Sequence, residues 1–289
     1  MSEQQVGWSF LHSKRWLGYF ALLMVFSIAC VWLGNWQFDR RAQARAEIAR
    51  IDSNYDAAAM TLAAAISDPS EFDEDELKWQ PIELHGEYIG APFLARNRPS
   101  AAGVGSNLVQ AFRDADGSVL FVDRGWVPIS GTDEVPEDLP APPAGEATVL
   151  VRLRAGEPEI AGRSSAGRSL ASINLPELVE MARESGELGD AERVYTAAYG
   201  QLVSEQPSAE HGLLAPRPER DEGPHLSYAL QWYVFILIAG VGVAYAARQE
   251  YRGLNAEGES VRREDERRAE RKRRRGPSDA DEEDALLEG

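Results

Sequence analysis

One cysteine, Cys30, stands in the whole 289-residue chain. That rules out an internal disulfide and any cysteine-rich metal site. Histidine is scarce as well. His12, His85, His211 and His225 are scattered, and no two have the spacing of paired metal ligands. Positive charge is outweighed, with 30 Lys and Arg against 47 Asp and Glu, for a net charge of −17. A surface of that sign argues against general nucleic-acid binding, which needs a basic face to displace phosphate counterions. The catalytic signatures are missing too. There is no G-x-S-x-G, H-E-x-x-H, phosphate-cradling glycine loop or C-x-x-C. Carboxylates are too abundant for any two to be singled out as an acid and base pair. The expectation is a protein that is not an enzyme.

Charge is also missing from two long stretches. Residues 16–38, "WLGYFALLMVFSIACVWLGNWQF", and 226–247, "LSYALQWYVFILIAGVGVAYAA", hold no charged residue. About 20 helical residues cross a hydrocarbon core, so both runs are long enough. A buried core helix of that length would carry charge on one face. A cleaved signal would be shorter and end in small residues. Cys30 in "SIAC" lacks the aliphatic residue that a lipoprotein box favours three places earlier, where Ser27 stands. It reads as an ordinary helix residue.

Lys14 and Arg15 precede the first run, and Arg248 and Arg252 follow the second. Residues 39–225 carry 33 acidic and 17 basic side chains. Arg40, Arg41 and Arg45 conflict locally, but charges in a long loop count for little in setting orientation. The expected arrangement is a multi-pass protein of the cell membrane. It has a cytoplasmic leader (1–15), transmembrane helices at 16–38 and 226–247, an extracytoplasmic domain at 39–225, and a charged, disordered cytoplasmic tail at 248–289.

The middle segment reads as an α+β domain with a mostly antiparallel sheet. Helix is expected to continue from Arg40 to about Ala65, and "SDPSEFDEDE" (67–76) to be an acidic loop. "PIELHGEY" alternates Ile82, Leu84, Gly86 and Tyr88 against polar neighbours, the period of a half-buried strand, and "FLARNR" is a pairing partner for it. "NLVQAFRDADGSVLFVDRGWVP" is two apolar runs joined by a tight turn at Asp116-Gly117. "ATVLVRLR" puts Val149, Val151 and Leu153 on one face and Arg152 and Arg154 on the other. "LPELVEMARESG" is a short amphipathic helix, with Pro176 near its start and Gly186 past its end. "RVYTAAYGQLVSE" is the last strand. "RREDERRAERKRRR" is a solvated helix with Glu/Arg pairs or a tract that meets anionic headgroups.

Three stretches stand out as candidate sites. In "LGNWQFDRR", Trp36 and the arginines fit an interfacial belt, while Asn35 and Gln37 are amides placed to bond another helix. In "VLFVDRGWVP", Gly125 and Pro128 fit a strand end or bulge. There Asp123 and Arg124 can pair with each other, or Arg124 can reach a carboxylate or propionate. In "HLSYALQWY", His225, Tyr228 and Trp232 fall on one helical face with Gln231 nearby. That fits an interfacial helix start, or an imidazole at an aqueous edge able to ligate haem iron.

Taken together and in order, these stretches are similar to the Surfeit-locus family of cytochrome c oxidase assembly proteins. The resemblance covers roughly residues 16–250. It rests on Gly34, Trp36, Gln37 and Arg40 at the first run, on Gly86 and Tyr88, on Arg124-Gly125-Trp126-Val127-Pro128, and on His225, Leu226, Tyr228, Ala229 and Trp232. Gly223-Pro224 stands where the family often has asparagines, and the charged tail lies outside the pattern.

The resemblance implies an assembly factor that helps deliver haem a, bound transiently, to the haem-bearing subunit 1 of the oxidase. His225 would be the axial ligand, and Tyr228, Gln231, Trp232 and Arg124 the pocket or propionate groups. Asn35, Trp36, Gln37 and Arg40 would face partners, among them the bilayer and the respiratory supercomplex. The competing readings are a non-haem scaffold or accessory subunit and an extracytoplasmic sensor. The sensor needs an output domain that the short charged tail does not resemble.

Overall fold

A computed structural model describes residues 7–128, 138–256 and 258–275. The chain divides into two units, residues 44–222 and the two flanks, 1–43 with 223–289.

The central unit opens with the last turns of α1 (Lys14–Asn54). Alanine, arginine and glutamate with no glycine or proline carry this helix past its apolar run. It stops at Asn54 rather than near Ala65, because the Asn54 amide turns away to donate to the carbonyls of Glu76 (2.7 Å) and Lys78 (2.9 Å). Strand β1 (Met60–Thr61) and helix α2 (Leu62–Ala65) follow. The expected acidic loop contains a one-turn helix, α3 (Glu74–Leu77). Its start is capped by the Asp73 carboxylate, which accepts from the amides of Asp75 and Glu76.

The remaining elements are β2 (Pro81–Ser100), β3 (Gly103–Asp114), β4 (Val119–Val127), β5 (Ala147–Ala155), β6 (Ser169–Leu170), α4 (Leu175–Glu184) and β7 (Ala198–Gln206). "FLARNR" is not a partner strand. It continues β2, which stays one 20-residue strand through two irregularities near the positive-φ residues Gly90 and Asn97. The first part of β2 pairs with β5 and the rest with β3. The order β2-β3-β4-β7-β5 therefore returns to β2, a closed ring of five strands. Four of its contacts are antiparallel, and β4 with β7 is parallel. Closure leaves these strands few free edges. The β3–β4 turn falls at Asp116-Gly117, with Gly117 at φ +84°.

Every residue of β4 is buried, which explains its nearly continuous apolar run. Leu120 and Val122 join Ile82, Leu84, Phe112, Val149, Val151 and Leu202 in one core. Val119 and Phe121 face a second core with Leu175, Leu178, Val179 and Ala182 of α4. Asn174 caps α4, and Gly186, at φ +75°, lies just beyond its end.

The flanking unit holds the apolar part of α1, then α5 (His225–Leu254) and α6 (Glu259–Arg275). Both α1 and α5 contain a stretch long and apolar enough to cross a membrane. In the leader, Trp8 stacks on Tyr251 at 4.4 Å from a 3-10 turn at Trp8–His12. The tail expected to be disordered begins as ordered helix. Helix α5 runs on to Leu254, and α6 fills 259–275. The acidic stretch 276–289 lies outside the described residues.

Candidate functional site

Helices α1 and α5 pair antiparallel. At one end the indole of Trp16 donates to Glu250 Oε2 at 3.0 Å, and Arg15 pairs with the same carboxylate. At the other end Gln37 meets His225. The helical period explains the choice of side chains. Cys30, Gly34, Gln37 and Phe38 share one face of α1, and His225, Ala229 and Tyr233 share one face of α5. Cys30 and Ala229 are fully buried in this seam. Gly34 lets the Tyr233 ring lie close, because a Cβ there would stand 3.1 Å from it and push it back by a few tenths of an ångström. The Tyr233 hydroxyl donates to Asn35 Oδ1 at 3.2 Å. Both amides singled out in the sequence, Asn35 and Gln37, thus bond the other helix.

His225 Nδ1 lies 2.8 Å from Gln37 Oε1. A carbonyl oxygen only accepts, so in the neutral ring this contact assigns the proton to Nδ1 and leaves the lone pair on Nε2. Gly223, at φ +67°, borders the Nε2 side of the ring, where a Cβ would come within 3.4 Å. A half-exposed imidazole with one nitrogen oriented by an amide fits the needs of a single axial ligand.

The other sequence candidates divide. Trp232 is half-buried and packs edge-on against Phe235 at 5.7 Å. Tyr228 and Gln231 are exposed and point away from the α1 seam. Trp36 projects from the opposite side of α1 and is exposed, and Arg40 donates to Gln43 Oε1 at 3.0 Å.

Arg124 is a correction. Successive strand residues point to opposite faces, so Asp123 and Arg124 do not pair with each other. Arg124 is 0% exposed. Its Nη1 donates to Pro140 O (3.0 Å) and Gln110 Oε1 (3.3 Å). Its Nη2 donates to Glu210 O (2.8 Å) and Ala141 O (3.1 Å) and lies 3.5 Å from Glu205 Oε1. The guanidinium also rests 4.9 Å from the Tyr88 ring centre, and the Tyr88 hydroxyl donates to Glu205 Oε2 at 3.0 Å. These contacts consume the charge inside the domain and take Arg124 out of the set that could meet a propionate.

The rest of the motif clamps a loop. Gly125, at φ +103°, forms a bulge opposite Leu108 and lies against Gly212. Gly212 N donates to Arg124 O, and Trp126 and Leu213 exchange backbone hydrogen bonds of 2.9 and 2.7 Å. The motif thus holds residues 210–213 of the segment that follows the last strand.

Asp123 is 2% exposed. Burial pushes its carboxyl up to about 6, although the Gly125 amide and the Asn107 side chain both donate to it. As pH rises from about 4 to about 6, the unfolded chain gives up this proton while the folded chain keeps it. Stability therefore falls across that window, by about 3 kcal/mol for this group. Asp123→Asn removes that fall. Thermal unfolding of both proteins from pH 4 to 7 checks it, because the wild-type minus variant difference must decline with pH and then level off.

The sequence also left Glu205, Gly212 and Tyr233 unmarked. For Gly212 and Tyr233 the signal was a lone glycine in a polar loop and one aromatic among several.

A family model described as the SURF1 family matches residues 24–237. The chain belongs to the SURF1 family. The match runs from inside the first apolar helix to inside the second, so it takes in both the Gln37–His225 contact and the strand-end clamp. Similar relatives are the uncharacterized SURF1-like proteins of Mycobacterium bovis and of two strains of Mycobacterium tuberculosis. Each is 28% identical over 256 residues, covering 86% of this chain and 89% of the relative.

Proposed function

We propose that this SURF1-family chain is a membrane-anchored assembly factor for haem-copper cytochrome c oxidase, one that holds haem a transiently on its way to subunit 1. The observation that carries the reading is the Gln37–His225 hydrogen bond at the end of the helix pair. Family membership supports the assembly role.

Residues 37 and 225 bound the central segment and meet each other, so that segment leaves and re-enters on one side of a bilayer. Lys14, Arg15, Arg248 and Arg252 lie at the opposite ends of the two apolar runs. With positive charge kept inside, this supports cytoplasmic termini and an extracytoplasmic domain.

When bound, haem supplies an iron that accepts one imidazole nitrogen. Gln37 holds Nδ1 and leaves Nε2 of His225 as the nitrogen that would take the iron, and the apolar helix ends beside it suit a cofactor with a long hydrocarbon tail. Handing it over requires holding and release but no bond-making catalysis, so the protein is not an enzyme in this reading.

The test is the absorption spectrum of the full chain purified in detergent from cells that make haem a. Wild type is expected to carry haem a, and His225→Ala to lose it. Gln37→Leu should weaken retention on the order of 10- to 100-fold, as removing the partner of a ligating histidine does. Haem-free wild type removes the carrier role, and haem a that is found only with copurifying oxidase subunits, and leaves with them when the chain is separated, puts the accessory-subunit reading in its place. Full retention by His225→Ala overturns the ligand assignment.

A further inference from the structure

Helix α6 folds back along the end of α5. Arg248 pairs with Glu264, Arg252 pairs with Asp265, and Tyr245 and Arg271 line the same cleft. Only four residues separate Leu254 from Glu259, and Glu264 reaches back to Arg248 while Arg271 shares the lining with Tyr245, so α6 runs back toward the apolar part of that helix. The cleft between them has a volume of about 490 Å³. Arg248, Arg252, Arg267, Arg268 and Arg271 line it with Tyr245 and Gln249, and Glu264 is the one carboxylate in the lining.

The charges in this cleft do not balance. Glu264 and Asp265 are each taken by one arginine of α5. Among the described residues Arg267, Arg268 and Arg271 make no ion pair. They stand three, four and seven positions after Glu264, which puts them on its face of the helix. Glu270 is occupied elsewhere, bound to Arg274 at 2.8 Å. In a protein of net charge −17 this is a concentrated patch of the opposite sign. It opens beside Tyr245, in the last turn of the apolar run, and the Tyr245 hydroxyl accepts from Gln249 at 2.6 Å. Several guanidiniums converging on one space suit a tetrahedral oxyanion, which they bind through paired N–H groups.

We propose that this cleft binds the phosphate of an anionic phospholipid headgroup. The proposal rests on the reading of 226–247 as a membrane span, which sets the cleft at headgroup depth on the cytoplasmic side. There each basic group gains from the negative leaflet. The fold-back of α6 delivers arginines to the bilayer that an extended tail would carry away from it.

The full chain in a non-ionic detergent is titrated with short-chain phosphatidylglycerol, short-chain phosphatidylcholine or inorganic phosphate. Native mass spectrometry and thermal shift read the binding. Phosphatidylglycerol is expected to bind and stabilise and phosphatidylcholine to do neither. The triple variant R267Q/R268Q/R271Q should bind phosphatidylglycerol on the order of tenfold to a hundredfold more weakly. Glu264→Gln removes the one carboxylate in the cleft and should tighten binding, a change of opposite sign that a folding defect does not mimic. Equal binding of the two lipids, or wild-type affinity in the triple variant, overturns the proposal. Inorganic phosphate binding as tightly as phosphatidylglycerol makes this a site for soluble phosphate and overturns the lipid assignment. Alkaline extraction of membranes tests the span separately. A chain released by that wash fails the membrane reading whether or not the cleft binds lipid.

Discussion

Arg124→Met should destabilise the central domain by about 3–5 kcal/mol, the usual result of removing one partner from a buried ion pair. The cost comes less from the lost attraction than from what remains. Glu205 is 6% exposed and would keep its charge with no cation beside it. Four hydrogen bonds from the guanidinium, to Gln110, Pro140, Ala141 and Glu210, would go as well. Tyr88 cannot compensate. Burial first, and then the neighbouring carboxylate, hold its phenol above the usual range, so it stays a neutral donor.

The double variant Arg124→Met/Glu205→Gln should recover part of the loss. It removes the stranded charge, while the amide oxygen that replaces the carboxylate still accepts from Tyr88. A denaturant titration of the full chain in detergent, read by hydrogen exchange at β4 and β7 amides, checks both values. A double variant no more stable than Arg124→Met would mean that the lost carbonyl contacts carry the effect.

Gly125→Ala should cost about 4 kcal/mol, near the top of the range for single substitutions. Two penalties add. At φ +103° any Cβ is strained, by about 1–2 kcal/mol. That Cβ would also lie 2.7 Å from the carbonyl carbon of Gly212, a backbone atom that no rotamer change can move. Gly117→Ala separates the two penalties. Its φ is +84° with nothing within 4 Å, so only the strain applies and the loss should be about 1 kcal/mol. Gly212→Ala has the backbone clash, at 2.6 Å from Gly125 and Trp126, without the positive-φ strain, so it should cost about 2–3 kcal/mol, and the double variant should fall short of the sum because both press on one contact. Hydrogen exchange locates the damage, with the amides of Gly212 and Leu213 losing protection first. Equal losses for Gly125→Ala and Gly117→Ala would show that the backbone contact is not tight.

Much of the fold was legible along the chain. The apolar runs, the alternation in "ATVLVRLR", the Asp116-Gly117 turn and the caps of α4 are properties of neighbouring residues, and near neighbours encode them directly. The seam of the helix pair was half legible. Asn35 and Gln37 stood out as amides in an apolar setting, but nothing nearby named their partners.

Glu205 shows why other parts were hidden. Strict alternation along β7 would put it on the side away from Leu202. The register with β5 slips between Leu150 and Val151, and Val203 is the extra residue. After that bulge Glu205 sits opposite Val149, turned into the core and toward Arg124.

By itself the sequence determined most of the helices and strands, though not all their ends, and also which stretches suit a membrane and which family the motifs resemble, because periodicity and composition are local. The tertiary structure decided what each singled-out residue touches. It sent Arg124 inward to Glu205, closed five strands into a ring, and set Gln37 against His225 across 188 positions of chain. Those pairings depend on register and bulges summed over whole strands and helices, and no short window of sequence contains them.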